Sequence, residues 1–248
     1  MARIGVFDSG AGGLSVLREL LKLIPDAEYI YYADNANCPY GSKSPEFITD
    51  RARAITEILI SKGADIIVVA CNTATSVAIA TLRSEYDIPF VGMEPAVKPA
   101  ALDSRTKVIG VLATEGTLRS SKYSGTKEKF GAGVRIVEQV GKGFVELVEK
   151  GELEGPHAEE VCMASLRPIL EAGADRIVLG CTHYPFLLPV LEKLAGNPDV
   201  VFINPAPSVA RRTLQLLGDK KAVRQKVELL SSGSDEILRR IYGTILYL

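Results

Sequence analysis

The segment Gly63-Ala64-Asp65-Ile66-Ile67-Val68-Val69-Ala70-Cys71-Asn72-Thr73 returns later in the chain as Gly173-Ala174-Asp175-Arg176-Ile177-Val178-Leu179-Gly180-Cys181-Thr182-His183. The two cysteines are 110 positions apart. Each copy is a short aliphatic run that suits a strand buried on both faces, followed at once by cysteine and small polar residues that suit a helix start. Each copy thus places a thiol at the carboxyl end of a strand, the edge of an open α/β sheet where ligands bind. A helix amino terminus beyond it favours thiolate over thiol.

Other segments recur at a similar offset, which argues that a whole unit is duplicated. Arg3-Ile4-Gly5-Val6-Phe7 is echoed by Val108-Ile109-Gly110-Val111-Leu112, and the strand end Asp8-Ser9 by Ala113-Thr114, so a hydroxyl is kept and the acid is not. A weaker echo links Pro89-Phe90-Val91 to Val201-Phe202-Ile203.

Strand-like runs near 3–7, 29–33, 66–70, 88–92, 107–112, 133–137, 176–180, 200–203 and 226–231 alternate with helical patterns. Those lie near 14–24, 45–62, 74–85, 96–103, 117–129, 142–150, 156–172, 186–195, 206–217 and 234–246. The alternation predicts an α/β fold of two similar, pseudo-symmetric lobes, each a mainly parallel sheet flanked by helices, with the active site between them. The first lobe is expected to comprise 1–94 with 207–248 and to carry Asp8 and Cys71. The second, 95–206, carries Cys181 and His183.

A net charge of −1 with scattered basic residues gives no electrostatic footprint for nucleic acid. The longest aliphatic stretch, Ile66 to Cys71, is far short of the ~20 residues that cross a bilayer. No signal core precedes the first strand, and a cytoplasmic location is expected. In that setting the four cysteines, Cys38, Cys71, Cys162 and Cys181, read as reduced thiols.

Of the four, Cys71 and Cys181 stand at equivalent strand ends and read as a catalytic pair. Neither has the Cys-x-x-Cys spacing of a redox dithiol or a structural zinc site, and His183 is an awkward chelator two residues from Cys181, so no metal is expected. Cys38 reads as structural. Cys162 and His157 do not share a helical face and read as packing or surface residues. Asp8-Ser9-Gly10-Ala11-Gly12-Gly13 resembles a dinucleotide loop, and Asp34 stands where a ribose-binding acid would, but Ser15 replaces the third glycine and Asp8 would oppose a pyrophosphate. The alternative is a small zwitterion, with Asp8 near its ammonium and Ser9 on its carboxylate.

Taken in order, Gly5-Val6-Phe7-Asp8-Ser9-Gly10, Asp34 with Pro39-Tyr40-Gly41-Ser42-Lys43, Ala70-Cys71-Asn72-Thr73-Ala74, Glu94-Pro95, Leu112-Ala113-Thr114, Gly180-Cys181-Thr182-His183-Tyr184-Pro185 and Ser232-Gly233 resemble the glutamate racemases of the cofactor-independent aspartate/glutamate racemase superfamily. The resemblance implies interconversion of L- and D-glutamate without a cofactor, supply of D-glutamate for peptidoglycan, and a homodimer. It makes Cys71 and Cys181 the acid/base pair, with Asp8 assisting Cys71 and His183 assisting Cys181. Ser9, Tyr40, Gly41, Asn72, Thr73, Thr114, Thr182 and His183 would surround the substrate with Asp8. Glu149 aligns with a family glutamate placed near the second thiol, but the prolines and cysteine around it are absent here, so it enters as an auxiliary candidate beside the solvated-face reading it shares with Glu146. A racemase of aspartate or another small acid, or a non-catalytic regulator on the same fold, are the alternative readings.

Overall fold

The structure, a computed structural model, describes residues 2–218 and 225–245. The chain divides into two compact units, one running to Met93 and resuming at Ala206, the other Glu94–Pro205.

The first unit opens with β1 (Arg3–Asp8), α1 (Leu14–Leu23), β2 (Glu28–Ala33), α2 (Pro45–Ser61), β3 (Ile66–Val69), α3 (Asn72–Glu85) and β4 (Phe90–Gly92). All four residues of β3 are buried, as a strand covered on both faces requires. Helix α2 begins where Ser44 caps the Phe47 N–H and Pro45 occupies the first turn.

The second unit contains α4 (Val97–Asp103), β5 (Val108–Ala113), α5 (Glu115–Leu118), α6 (Ser121–Phe130), β6 (Arg135–Val140), α7 (Phe144–Lys150), α8 (Pro156–Glu171), β7 (Arg176–Gly180), α9 (Leu188–Ala195) and β8 (Val201–Ile203). Arg176 is the polar exception on a buried strand. Its guanidinium is held by Asp103 and by the carbonyls of Asp175 and Asp199. The chain then returns to the first unit with α10 (Ala206–Leu217), β9 (Lys226–Ser231) and α11 (Glu236–Ile245). Of the helix expected over 234–246, residue 246 lies outside the described residues.

Among the described residues all strand pairs are parallel, in the orders β4-β3-β1-β2-β9 and β6-β5-β7-β8. Read from the other edge, the second sheet is β8-β7-β5-β6, which matches β4-β3-β1-β2 position for position under the alignment suggested by the repeats. Even the weak echo of β4 in β8 is therefore topological. Strand β9 extends the first sheet beyond that shared plan.

Two expected elements differ. The helix expected over 117–129 is two helices, because Thr114 caps Thr117 and Ser120 caps Tyr123, giving two separate starts. The strand expected at 133–137 is β6, 135–140. It is an edge strand with no fully buried residue, so Arg135, Glu138 and Gln139 interrupt the apolar run on which the expectation rested. Among the described residues no helix is long and apolar enough to cross a membrane.

Candidate functional site

In the first unit the groups gather at the carboxyl ends of β1, β2 and β3. Asp8 closes β1 fully buried. Its Oδ2 accepts from the backbone N–H groups of Gly10 (3.2 Å) and Gly13 (3.0 Å), so the carboxylate shapes the loop that opens α1. The Tyr31 hydroxyl donates to the Gly10 carbonyl at 2.8 Å. A methyl group on Gly13 would lie 2.6 Å from the Asp8 Cβ and 2.7 Å from the Tyr31 hydroxyl, so glycine is required by space. A loop drawn around a carboxylate is the wrong charge for a pyrophosphate, in keeping with the zwitterion reading.

Cys71 is the N-cap of α3, as the repeat predicts for a thiol between strand and helix. Its Sγ accepts from the Ala74 N–H at 3.5 Å and lies 3.8 Å from the Ser9 Oγ. Asn72 and Thr73 are both buried in the first turn of α3, and the Asn72 Nδ2 is 3.5 Å from the Met93 carbonyl. One turn further, the Thr75 Oγ1 donates to the Val69 carbonyl at 3.0 Å and accepts from the Met93 N–H at 2.9 Å. The start of α3 is thus fixed to the last residue of the unit's first segment.

Tyr40 and Gly41 lie in a short 3-10 turn, Tyr40–Ser42. The Tyr40 ring is buried in the same cluster as Cys71 and Ala74, and its hydroxyl donates to the Asp34 Oδ2 at 2.5 Å. Asp34 is fully buried and takes two bonds from Arg51, at 2.9 and 2.8 Å. Burial alone would push the Asp34 carboxyl up. The bonds from Arg51, Tyr40, Asn37 and Ser232 outweigh it and hold the carboxyl below the usual carboxylate range. The Tyr40 phenol is pushed far up by burial and by the carboxylate it touches, so it stays a donor. Asp34 therefore has a full set of partners of its own. Arg51, on α2, is the residue that sequence reasoning missed.

In the second unit Cys181 follows β7, buried at its carboxyl end. Here the expected α-helical start is corrected. Residues 182–183 form a turn, Tyr184–Leu187 a 3-10 helix, and α9 begins only at Leu188. Pro185 and Pro189 lack the N–H groups that would bond four residues back. The turn closes three residues back instead, from the Tyr184 N–H to the Cys181 carbonyl at 3.2 Å and from the Phe186 N–H to the His183 carbonyl at 3.1 Å.

What stands beside Cys181 is an imidazole. The His183 Nδ1 lies 3.7 Å from the Cys181 Sγ, and its Nε2 lies 2.6 Å from the Glu149 Oε1. With Glu149 ionised and the imidazole neutral, Nε2 carries the proton and Nδ1 presents its lone pair to the thiol. Glu149 stands one residue before the end of α7, which a left-handed Gly151 terminates, whereas Glu146 on the same helix is exposed. Thr182 is buried beside Cys181. Thr114 closes β5 as the N-cap of α5, and its hydroxyl also donates to the Thr117 Oγ1 at 2.9 Å. Tyr184 packs edge-on against Phe144 with ring centroids 4.9 Å apart. Gly180, just before Cys181, faces Ala113, and a methyl group there would lie 2.8 Å from the Ala113 Cβ and 3.0 Å from the Leu112 carbonyl oxygen.

The remaining cysteines and histidine are of a different character. Cys162 is fully buried on α8, and burial pushes its thiol up to about 11. His157 is exposed and bonds Glu152 at 2.8 Å. Cys38 is half-buried beside the Tyr40 turn.

The family described as Asp/Glu/Hydantoin racemase matches residues 4–213. A glutamate racemase of Stutzerimonas stutzeri is 46% identical over 233 residues, covering 94% of this chain and 85% of the relative. The crystal structure of Escherichia coli glutamate racemase in complex with L-glutamate and the activator UDP-MurNAc-Ala has a TM-score of 0.89 at 34% identity, covering 98% of this chain and 95% of that one. The glutamate racemase of Francisella tularensis in complex with D-glutamate has a TM-score of 0.83 at 27% identity, covering 100% and 94%.

Proposed function

The chain belongs to the Asp/Glu/Hydantoin racemase family, within it to the glutamate racemases, and from that premise we propose that it interconverts L- and D-glutamate through Cys71 and Cys181 without a cofactor. One observation carries the reading. Two strands that correspond in two matched sheets each end in a buried thiol, and each thiol has a polar side chain beside it, Ser9 at Cys71 and His183 at Cys181.

Racemisation at Cα needs a base on one face and an acid on the other. In the L-to-D direction Cys181, as thiolate, takes the α-proton, and Cys71 delivers a proton from its thiol to the opposite face. In the reverse direction the roles exchange. His183, held by Glu149, takes the proton from the Cys181 thiol beforehand and so prepares the thiolate. On the other side, the Ala74 N–H and the start of α3 stabilise the charge left on the Cys71 sulfur. Charge moving from Cα onto the substrate carboxylate is met by the buried N–H and hydroxyl groups around Asn72, Thr73 and Thr182, with Ser9, Tyr40, Gly41 and Thr114 completing the surroundings. Asp8 faces the substrate ammonium and supports Cys71. The kinship further supports a role in supplying D-glutamate for peptidoglycan, in the cytoplasm and as a homodimer.

The deciding experiment is incubation of the purified protein with L-glutamate in D2O. The expected product is D-glutamate carrying solvent deuterium at Cα, while the unreacted L-glutamate stays largely protiated early in the reaction. Substantial substrate-derived protium in early product would mean that one group serves both faces. Turnover of L-aspartate in place of L-glutamate would reassign the substrate.

A further inference from the structure

We infer that Arg51 is a positioning residue for the Cys71 side of the site: through Asp34 it fixes Tyr40, and with it the turn Tyr40–Ser42, against the helix that Cys71 caps. The inference rests on the two-thiol reading above and adds to it a residue that touches neither thiol.

Asp34 is a hub. Its backbone N–H donates to the Asp8 carbonyl at 2.9 Å, tying the end of β2 to the end of β1. Its side chain takes both Arg51 bonds, the Tyr40 hydroxyl and the Asn37 amide at 3.0 and 3.2 Å. Ser232, just past β9, also bonds the carboxylate, and its Oγ accepts from the Ala36 N–H at 3.1 Å. Asn35 reaches the Ser234 carbonyl at 2.9 Å. The turn beside Cys71 is therefore held from below by α2 and from the side by the loop after β9.

A carboxylate with no exposed surface needs a counter-charge, and Arg51 is the partner that supplies one, as two charge-assisted bonds in a fixed plane. A phenol donating to that carboxylate loses its anchor if the carboxylate protonates or turns. Tyr40 and Cys71 share one buried cluster, so a shift of the ring is felt at the thiol rather than at the surface. Nothing in this chain of contacts includes Cys181, and the effect is therefore confined to one of the two proton transfers.

That one-sidedness gives the test. Enantiomers have equal free energy, so any variant must lower kcat/KM equally in both directions. The α-deuterium isotope effect on kcat/KM is not so bound. Arg51→Met should lower kcat/KM about tenfold or more. The isotope effect should rise with α-deuterated D-glutamate, whose proton Cys71 removes, and fall with α-deuterated L-glutamate. Arg51→Lys should recover part of the rate and part of the asymmetry, and Ser232→Ala should show the same asymmetry more weakly. If Arg51→Met does not fold, the latter two variants carry the measurement. Isotope effects that are unchanged, that move together, or that rise with L-glutamate would overturn the inference while leaving the racemase reading intact. A wild-type protein inert toward glutamate would overturn both.

Discussion

The Glu149 carboxylate lies 2.6 Å from the His183 Nε2, on the side of the ring opposite Cys181. That bond selects the tautomer, because an ionised carboxylate can only accept. A neutral imidazole so held meets the sulfur with a lone pair rather than an N–H. A residue 34 positions away in sequence thus holds the imidazole that stands beside the second thiol.

Glu149→Gln should preserve the packing of α7 but release that tautomer, since an amide can donate as well as accept. We expect kcat/KM for glutamate to fall about tenfold or more, with the α-deuterium isotope effect rising for L-glutamate, whose proton Cys181 removes. Unchanged steady-state rates in Glu149→Gln would show that the contact is structural only.

Cys71 and Cys181 should be the thiols whose alkylation stops turnover, and glutamate should protect them. Cys71→Ser and Cys181→Ser should each lose about 10²-fold or more in rate, whereas Cys162→Ser should retain most activity, since Cys162 lies within the core of α8. Peptide mapping after iodoacetamide treatment, with and without substrate, checks the assignment. Protection at Cys162 in place of the other two would undo it.

Cys162 also predicts an alkaline limit on stability. Its folded thiol titrates at about 11, raised by burial from an ordinary value of 9.0. Between these values the folded state holds a proton that the unfolded state has released, so this contribution is complete below about pH 9 and is lost as pH rises toward about 11. The loss should amount to about 3 kcal/mol. Cys162→Ala should be less stable at neutral pH and show a flatter decline over that window in denaturant titrations. A decline as steep as that of wild type would mean another group is responsible.

Gly13→Ala should destabilise the first unit by about 1–3 kcal/mol, because the new methyl meets the Asp8 Cβ and the Tyr31 hydroxyl, both in a fully buried setting. Displacing Asp8 should also depress turnover beyond what the loss of stability explains. A variant with wild-type melting temperature and rate would show that the loop has slack the geometry does not suggest.

The buried strands were legible because each is a short aliphatic run ended by a turn, and the repeat aligned them before any fold was known. Strand β6 was placed less well because an edge strand need not be apolar throughout. The start after Cys181 was misread because small polar residues suggest a helix, while Pro185 and Pro189, spaced four apart, remove the bonds that would make one. Glu149 and Arg51 mark a different limit. Glu149 bonds His183 across 34 residues and Arg51 bonds Asp34 across 17; Glu149 alone reads as part of a solvated face, and no motif singles out Arg51. Only the packing of α7 against the turn Tyr184–Leu187 and α8, and of α2 against α3 and β1, turns those charges inward.

Gly180 carries a further meaning for the history of the repeat. Its counterpart before Cys71 is Ala70, one residue past the Phe7–Val69 pair that ends the β1–β3 register, and the residue after Phe7 is Asp8, where the second half has Ala113. Copying Ala70 into position 180 would drive a methyl group to 2.8 Å from the Ala113 Cβ. The thiol-bearing segment of the first half could therefore not be set into the second without a compensating change next door. Each strand end is fitted to its own neighbour, and the two thiols meet different side chains, Ser9 beside Cys71 and His183 beside Cys181.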